Sequence, residues 1–259
     1  MDIVISSAEG DLLYNGGGET KRAASLRAED IETLKSGTQQ KRPTAYYVLS
    51  LTVDIAEYLS ELTEHLTAVA ECGDLVVPYS DCTVIYIKAV GKARDYRSAG
   101  EFAHTLYDNL SGETRLKFGI GVGGIAALID EIPEIIEHGV NAYKFGRLMD
   151  PESNVYSYKE YALHKLLDSL PQATLVKHLK MLSEPEVPEL FNDAEMTRTA
   201  DIFLKKSLNL SETARHLYMH RNTLIYRLDR IEDVTGLNIR YFSDAVIFRM
   251  MMTLSKLIK

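Results

Sequence analysis

The sequence predicts an α+β fold: a mostly antiparallel sheet with helices packed on it, followed by an all-helical unit. Three observations point there. From Pro43 to about Tyr158, strand-like and helix-like periodicities alternate. Beyond Tyr161 the periodicity is helical throughout. Charge also divides the chain: residues 193–259 hold 11 Lys+Arg and 8 Asp+Glu, a net +3, whereas the other 192 residues sum to −11. The overall −8 gives no hint of a nucleic-acid partner, but an acidic body with a mildly basic end argues for two domains with different partners.

The elements follow in order. Ile3 to Tyr14 reads as a short hairpin turning at Glu9-Gly10-Asp11, and N-G-G-G-E at 15–19 as a turn rather than a phosphate cradle. Ala28 to Lys35 reads as a short helix stopped at Gly37. A-Y-Y-V-L-S-L-T-V at 45–53 is a strand, leading into an amphipathic helix with Ile55, Leu59, Leu62, Leu66 and Val69 apolar. D-L-V-V-P-Y-S-D-C-T-V-I-Y-I at 74–87 is a hairpin turning near Tyr79-Ser80-Asp81. A helix from Tyr96 to Leu110, a strand at 116–123, a helix from Pro133 to Phe145 and a strand at 154–158 complete the body. Pro171 breaks the first helix beyond it, a second runs from Ala173 to Leu182, and E-P-E-V-P-E-L at 184–190 is expected to be a linker or turn. The expected divisions are therefore a short segment of unassigned role at 1–42, the α+β domain at 43–160, a helical connector and linker at 161–190, and a helical domain at 191–259.

Composition excludes several classes. At 46% hydrophobic and 25% charged, the chain is an ordinary globular one, neither disordered nor collagen-like. No run approaches the roughly 18 apolar residues of a membrane span, so no membrane partner is expected. The start, M-D-I-V-I-S-S-A-E-G, lacks the basic-then-apolar order of a secretory signal. Cys72 and Cys82 read as thiols of the core rather than a disulfide or redox pair, which fits a cytoplasmic location.

The chemistry concentrates at 211–231. Ser211 is placed as the N-cap of a short helix through Tyr218, and Ala214 lies where that helix would approach the next most closely. After a tight turn at Met219-His220, a second helix begins near Arg221 and ends at Gly236. Leu224, Leu228 and Ile231 form its inward face; Arg221, Asn222, Thr223, Tyr226, Arg227 and Arg230 face outward. A helix at 196–206 supplies Ala200, Phe203 and Leu204 as packing partners, completing a helix-turn-helix with a supporting helix. Arg offers forked donors to guanine or phosphate, Asn pairs with adenine, and Thr and Tyr hydroxyls hold phosphates, so this outward face suits double-stranded DNA.

At these residues the chain resembles a known family. T-A-R-H-L-Y-M-H-R-N-T-L-I-Y-R-L-D-R-I at 213–231, followed by T-G-L-N at 235–238, is similar to the carboxy-terminal helix-turn-helix of the PucR/CdaR family of bacterial transcriptional regulators. The family hallmark H-R-N-T-L-x-Y-R-L falls at His220 to Leu228, and D-I-F-L at 201–204 also fits. The resemblance covers about residues 43–259. It implies that the middle segment is a degenerate GGDEF-like (nucleotide-cyclase-like) α/β sandwich. By analogy with the similarly built unit of the nucleoid protein Fis, it also implies that His220, Arg221, Asn222 and Thr223 enter the groove.

Diguanylate cyclases of that fold need a glycine-rich hairpin followed by acids, to admit the triphosphate and hold magnesium. Here the hairpin reads V-V-P-Y-S-D-C-T at 76–83, without paired glycines, and Cys82 follows Asp81. Asp54 is read as capping the helix after it rather than as a metal ligand. The glycines at 119, 121, 123 and 124 are read as thinning a central strand under a close helix, not as a dinucleotide site. His216 and His220 stand four apart with a turn between them, so no metal is expected there. The expected protein is a regulator without cofactor or catalysis that binds an operator as a homodimer or higher oligomer, compatible with a small-molecule effector. The rivals are a nucleotide-binding or nucleotide-making enzyme, and an interaction module whose helix-turn-helix has lost DNA.

Overall fold

Strand β3 (Ala45–Val53) explains the architecture of the body, because every position but Thr52 is buried. A strand apolar on both faces has to be covered on both. Its odd residues Tyr47, Leu49, Leu51 and Val53 pack with Leu62 and Leu66 of α1 (Leu59–Val69) and with Phe102, Leu106 and Leu110 of α2 (Ala99–Glu113). Its even residues Tyr46 and Val48 pack with Ile132 and Ile136 of α3 (Ile132–Met149). The result is a three-layer α/β/α sandwich. The computed structural model describes residues 5–6, 12–14, 43–91, 96–182 and 187–258, and the chain divides into two compact units, Met1–Leu163 and His164–Lys259.

The remaining strands are β4 (Leu75–Ser80), β5 (Thr83–Val90), β6 (Phe118–Ala126) and β7 (Val155–Ser157), in the order β4-β5-β3-β6-β7. All neighbours are antiparallel except β6 and β7, so the expected mixed fold with a mostly antiparallel sheet is present. A separate short ladder pairs β1 (Ile5–Ser6) with β2 (Leu12–Tyr14), antiparallel. The turn expected at 9–11, the glycine turn at 15–19 and the helix at 28–35 lie outside the described residues.

β6 and α3 meet backbone to backbone. A Cβ on Gly121 would stand 2.0 Å from the carbonyl oxygen of Gly139, and one on Gly123 would stand 2.0 Å from that of Ile135. The glycine series thus thins a strand under a close helix, as its sequence suggested. Ser50 supplies the small side chain opposite, donating to the carbonyl of Gly121 at 3.3 Å.

Several expectations need correction. Ile55 and Val69 are 49% and 45% exposed, because a 3-10 turn at Ala56–Tyr58 precedes α1 and Val69 is its last residue. The hairpin turns at Asp81-Cys82, and Tyr79 is buried in β4. Asp54 caps nothing: the N-cap position is Ile55, and the Asp54 carboxylate lies 3.7 Å from the Arg147 guanidinium. Cys72 is exposed rather than in the core, while Cys82 is half-buried.

A buried polar knot ties the 71–74 turn to β5. Asp74 accepts from the Ala89 N–H (2.9 Å), the Tyr86 hydroxyl (2.8 Å) and Lys88 Nζ (3.1 Å), and Lys88 also reaches Glu71 at 2.7 Å. Burial and then the Asp74 charge push the Tyr86 hydroxyl far above its usual range. Burial alone would lower Lys88, but its hydrogen bond to Glu71 and the charge of Asp74 outweigh it and hold the ammonium above its ordinary value.

Beyond the sheet come α4 (Tyr158–Asp168), α5 (Gln172–Leu182), α6 (Val187–Asn192), α7 (Ala194–Lys205), α8 (Leu210–His216), α9 (Arg221–Thr235) and α10 (Phe242–Leu257). The expected linker at 184–190 is helical from Val187 onward. Pro188 stands in the first turn of α6, where the N–H it lacks would have had no partner anyway. Residues 184–186 lie outside the described residues.

Candidate nucleic-acid interface

Each piece of the helix-turn-helix is set by a local terminus. Asp193 starts α7, its Oδ1 accepting from the N–H groups of Glu195 (2.9 Å) and Met196 (3.1 Å). α7 closes with paired backbone bonds, Ser207 N–H to Leu204 (3.2 Å) and Leu208 N–H to Phe203 (3.0 Å). α8 is capped by Asn209, whose Oδ1 accepts from Ser211 (3.0 Å) and Glu212 (3.1 Å). The assignment of the cap to Ser211 is therefore corrected: Ser211 lies within the first turn, exposed, one residue past the true start. The signal was present in the sequence, since Asn209 is followed three residues later by Glu212, the spacing of a capping box.

The turn repeats the closure seen at the end of α7. Tyr218 N–H bonds Arg215 (3.2 Å) and Met219 N–H bonds Ala214 (3.0 Å), with Tyr218 in the left-handed region at φ 51°. His220 then caps α9, its Nδ1 accepting from the Asn222 N–H at 3.2 Å. At the far end Gly236, at φ 68°, stops the helix.

The inward face is as read from the sequence. Leu224, Leu228 and Ile231 are buried with Ala200, Phe203 and Ala214, and with Phe248 and Met252 of α10. On the other face His220, Arg221, Asn222, Thr223, Tyr226 and Arg230 are all exposed, Tyr226 to 66%. Among the described residues, no carboxylate stands within ion-pair distance of Arg221 or Arg230. Arg227 departs from this set. Its guanidinium donates to Glu195 (2.7 Å) and Thr199 (2.9 Å) on α7 and fastens the recognition helix to its support.

Three further residues shape this face and were not singled out in the sequence. Asn209 is the cap just described. Arg240 reaches back to Asp229, Glu232 and the Ile225 carbonyl, so two of the acidic groups on α9 are already paired. Tyr218 is 98% exposed at the tip of the turn. Chemically, the arrangement offers an unpaired cationic and amide flank, and a helix N-terminus whose free N–H groups favour phosphate.

Residues 196–254 match the PucR C-terminal helix-turn-helix domain. The chain thus carries a helix-turn-helix of the PucR type over these residues. The chain is similar to the purine catabolism regulatory protein of Bacillus subtilis (strain 168), at 23% identity over 163 residues, 63% of this chain and 31% of the relative. The carbohydrate diacid regulator of Escherichia coli (strain K12) is 29% identical over 159 residues, 60% of this chain and 39% of the relative. The chain thus spans about a third of the length of these curated relatives. The crystal structure of a regulator of polyketide synthase expression from Bifidobacterium adolescentis covers 87% of this chain and 90% of its own at 16% identity, with a TM-score of 0.29. No helix among the described residues is long and apolar enough to cross a membrane.

Proposed function

We propose that the protein is a sequence-specific transcriptional regulator that docks the first turns of α9 into the major groove of double-stranded DNA. The observation that carries this is the exposed, unpaired flank of Arg221, Asn222, Thr223 and Arg230 on a helix whose opposite flank is sealed into the core. His220 caps that helix, and the exposed Ser211 of α8 and Tyr226 are assigned as hydroxyl donors to phosphate. Arg227 is assigned to holding α9 against α7 rather than to the duplex.

The sandwich in unit 1 is read as a GGDEF-like domain without catalysis, serving assembly or regulation. Its hairpin places Asp81 at an exposed turn beside Cys82, and Asp54 faces Arg147 rather than a second carboxylate. One helix reads only a few base pairs, so useful selectivity needs two copies on repeated half-sites. A metabolic operon, a cytoplasmic setting and a small-molecule effector complete the reading.

Selection of genomic fragments by the purified protein tests it. An enriched motif should emerge with paired half-sites. Arg221→Ala and Asn222→Ala should each weaken operator binding about tenfold, within the 1–3 kcal/mol of a good base contact. Equal operator binding by wild type and both variants would favour an interaction module instead. Turnover of guanosine triphosphate with magnesium that depends on Asp54 or Asp81 would overturn the inactive reading.

A further inference from the structure

Where β3 ends and β6 and β7 begin, unit 1 holds a cavity of about 350 Å³. That is the lower end of the size range for small-molecule sites. Tyr107 of α2, Tyr143 and Arg147 of α3, and Gly119 of β6 line it together with Asp54, Lys117 and Asn154 from the adjoining loops. Tyr143 and Gly119 both line it, and a Cβ on Gly119 would stand 2.7 Å from the Tyr143 ring, so glycine lets the ring lie against the strand.

The charges around this cavity are of both signs. Lys117 and Arg147 stand on one side of the balance and Asp54 on the other, with Asn154 adding an amide. Asp54 and Arg147 face each other at 3.7 Å with their side chains 41% and 43% exposed. A single long contact between half-exposed groups is held weakly and opens at little cost. A simple dianion would meet Asp54, and a simple cation would meet Lys117 and Arg147. A triphosphate with its metal ions needs several carboxylates, and among the described residues no group of three metal-ligating side chains exists. A molecule with one charge of each sign satisfies both halves of the pair at once.

We propose that this cavity is a binding site for a small zwitterionic metabolite of the free amino acid class. Its carboxylate takes the Arg147 guanidinium, with Lys117 as the second cation, and its ammonium takes Asp54. The side chain of the ligand lies along Tyr143 and Tyr107. The inference stands apart from the DNA-binding reading, because the site lies wholly in unit 1.

The test uses the full chain in calorimetric titration and thermal melting. The probes are the twenty free amino acids, lactate and succinate as carboxylates without an amino group, and guanosine triphosphate with magnesium. One or more amino acids should bind with Kd below about 1 mM and raise Tm. Asp54→Asn should weaken that binding about tenfold while leaving any lactate binding unchanged, and Arg147→Gln should weaken both. Both side chains are half-exposed, and the melting of each unliganded variant is measured beside that of the wild type as the baseline for ligand-induced shifts. The proposal is overturned if no amino acid binds at about 10 mM. It is equally overturned if binding is indifferent to either substitution, or if lactate, succinate or the nucleotide binds more tightly than every amino acid.

Discussion

Tyr218 carries a cost that glycine would not. Its left-handed backbone (φ 51°) opposes its Cβ, and its ring, 98% exposed, gains nothing from burial. Tyr218→Gly should therefore raise stability by about 1 kcal/mol in urea titration. The capping correction gives a second expectation: Asn209→Ala should cost about 1 kcal/mol while Ser211→Ala costs only a few tenths, by the same measurement. The knot at Asp74 gives a third. Tyr86 and Lys88 both bind their protons more tightly folded than unfolded, so their contribution is complete below the unfolded values of 10.0 and 10.5 and is lost as pH rises through the folded ones. The urea midpoint should fall above pH 10, and Tyr86→Phe should flatten that fall. Residue-scale legibility was uneven for a physical reason. Leu224, Leu228 and Ile231 announce themselves by spacing, but Arg227, three residues from Leu224, lies only about 60° round the helix from the buried stripe. Periodicity leaves such a boundary position open, and the partner that decides it, Glu195, is 32 residues away.

At the scale of elements, β6 and α3 meet backbone to backbone. Gly121→Ala should destabilise unit 1 by about 2 kcal/mol or more, since the nearest atom is helix backbone and cannot rotate away. Loss of the sheet signal in circular dichroism at lower urea would register it. Strand and helix types were readable because alternation, run length and proline placement act locally. Their limits were not: helix α1 begins late because a 3-10 turn intervenes, and α6 starts inside what two prolines suggested was a linker. The sequence could place four glycines in a strand, but only the neighbouring helix shows which of them touch it.

For the molecule as a whole, the change from mixed to purely helical periodicity and the swing in charge already divided the chain into two parts. Residues 164–259 own a core built on Phe203, Leu224, Leu228 and Phe248, and should unfold cooperatively as an isolated fragment, followed by circular dichroism. What could not be read was the packing of opposite charges at Asp54 and Arg147, which are brought together across 93 positions of chain by the sheet. The order of that sheet has a last consequence. Among the described residues its margins are β4, where Pro78 withholds an amide, and β7, only three residues long. A neighbouring molecule would find scarcely any ladder to extend at either border, so the sheet of the acidic half is guarded against fibre-like stacking.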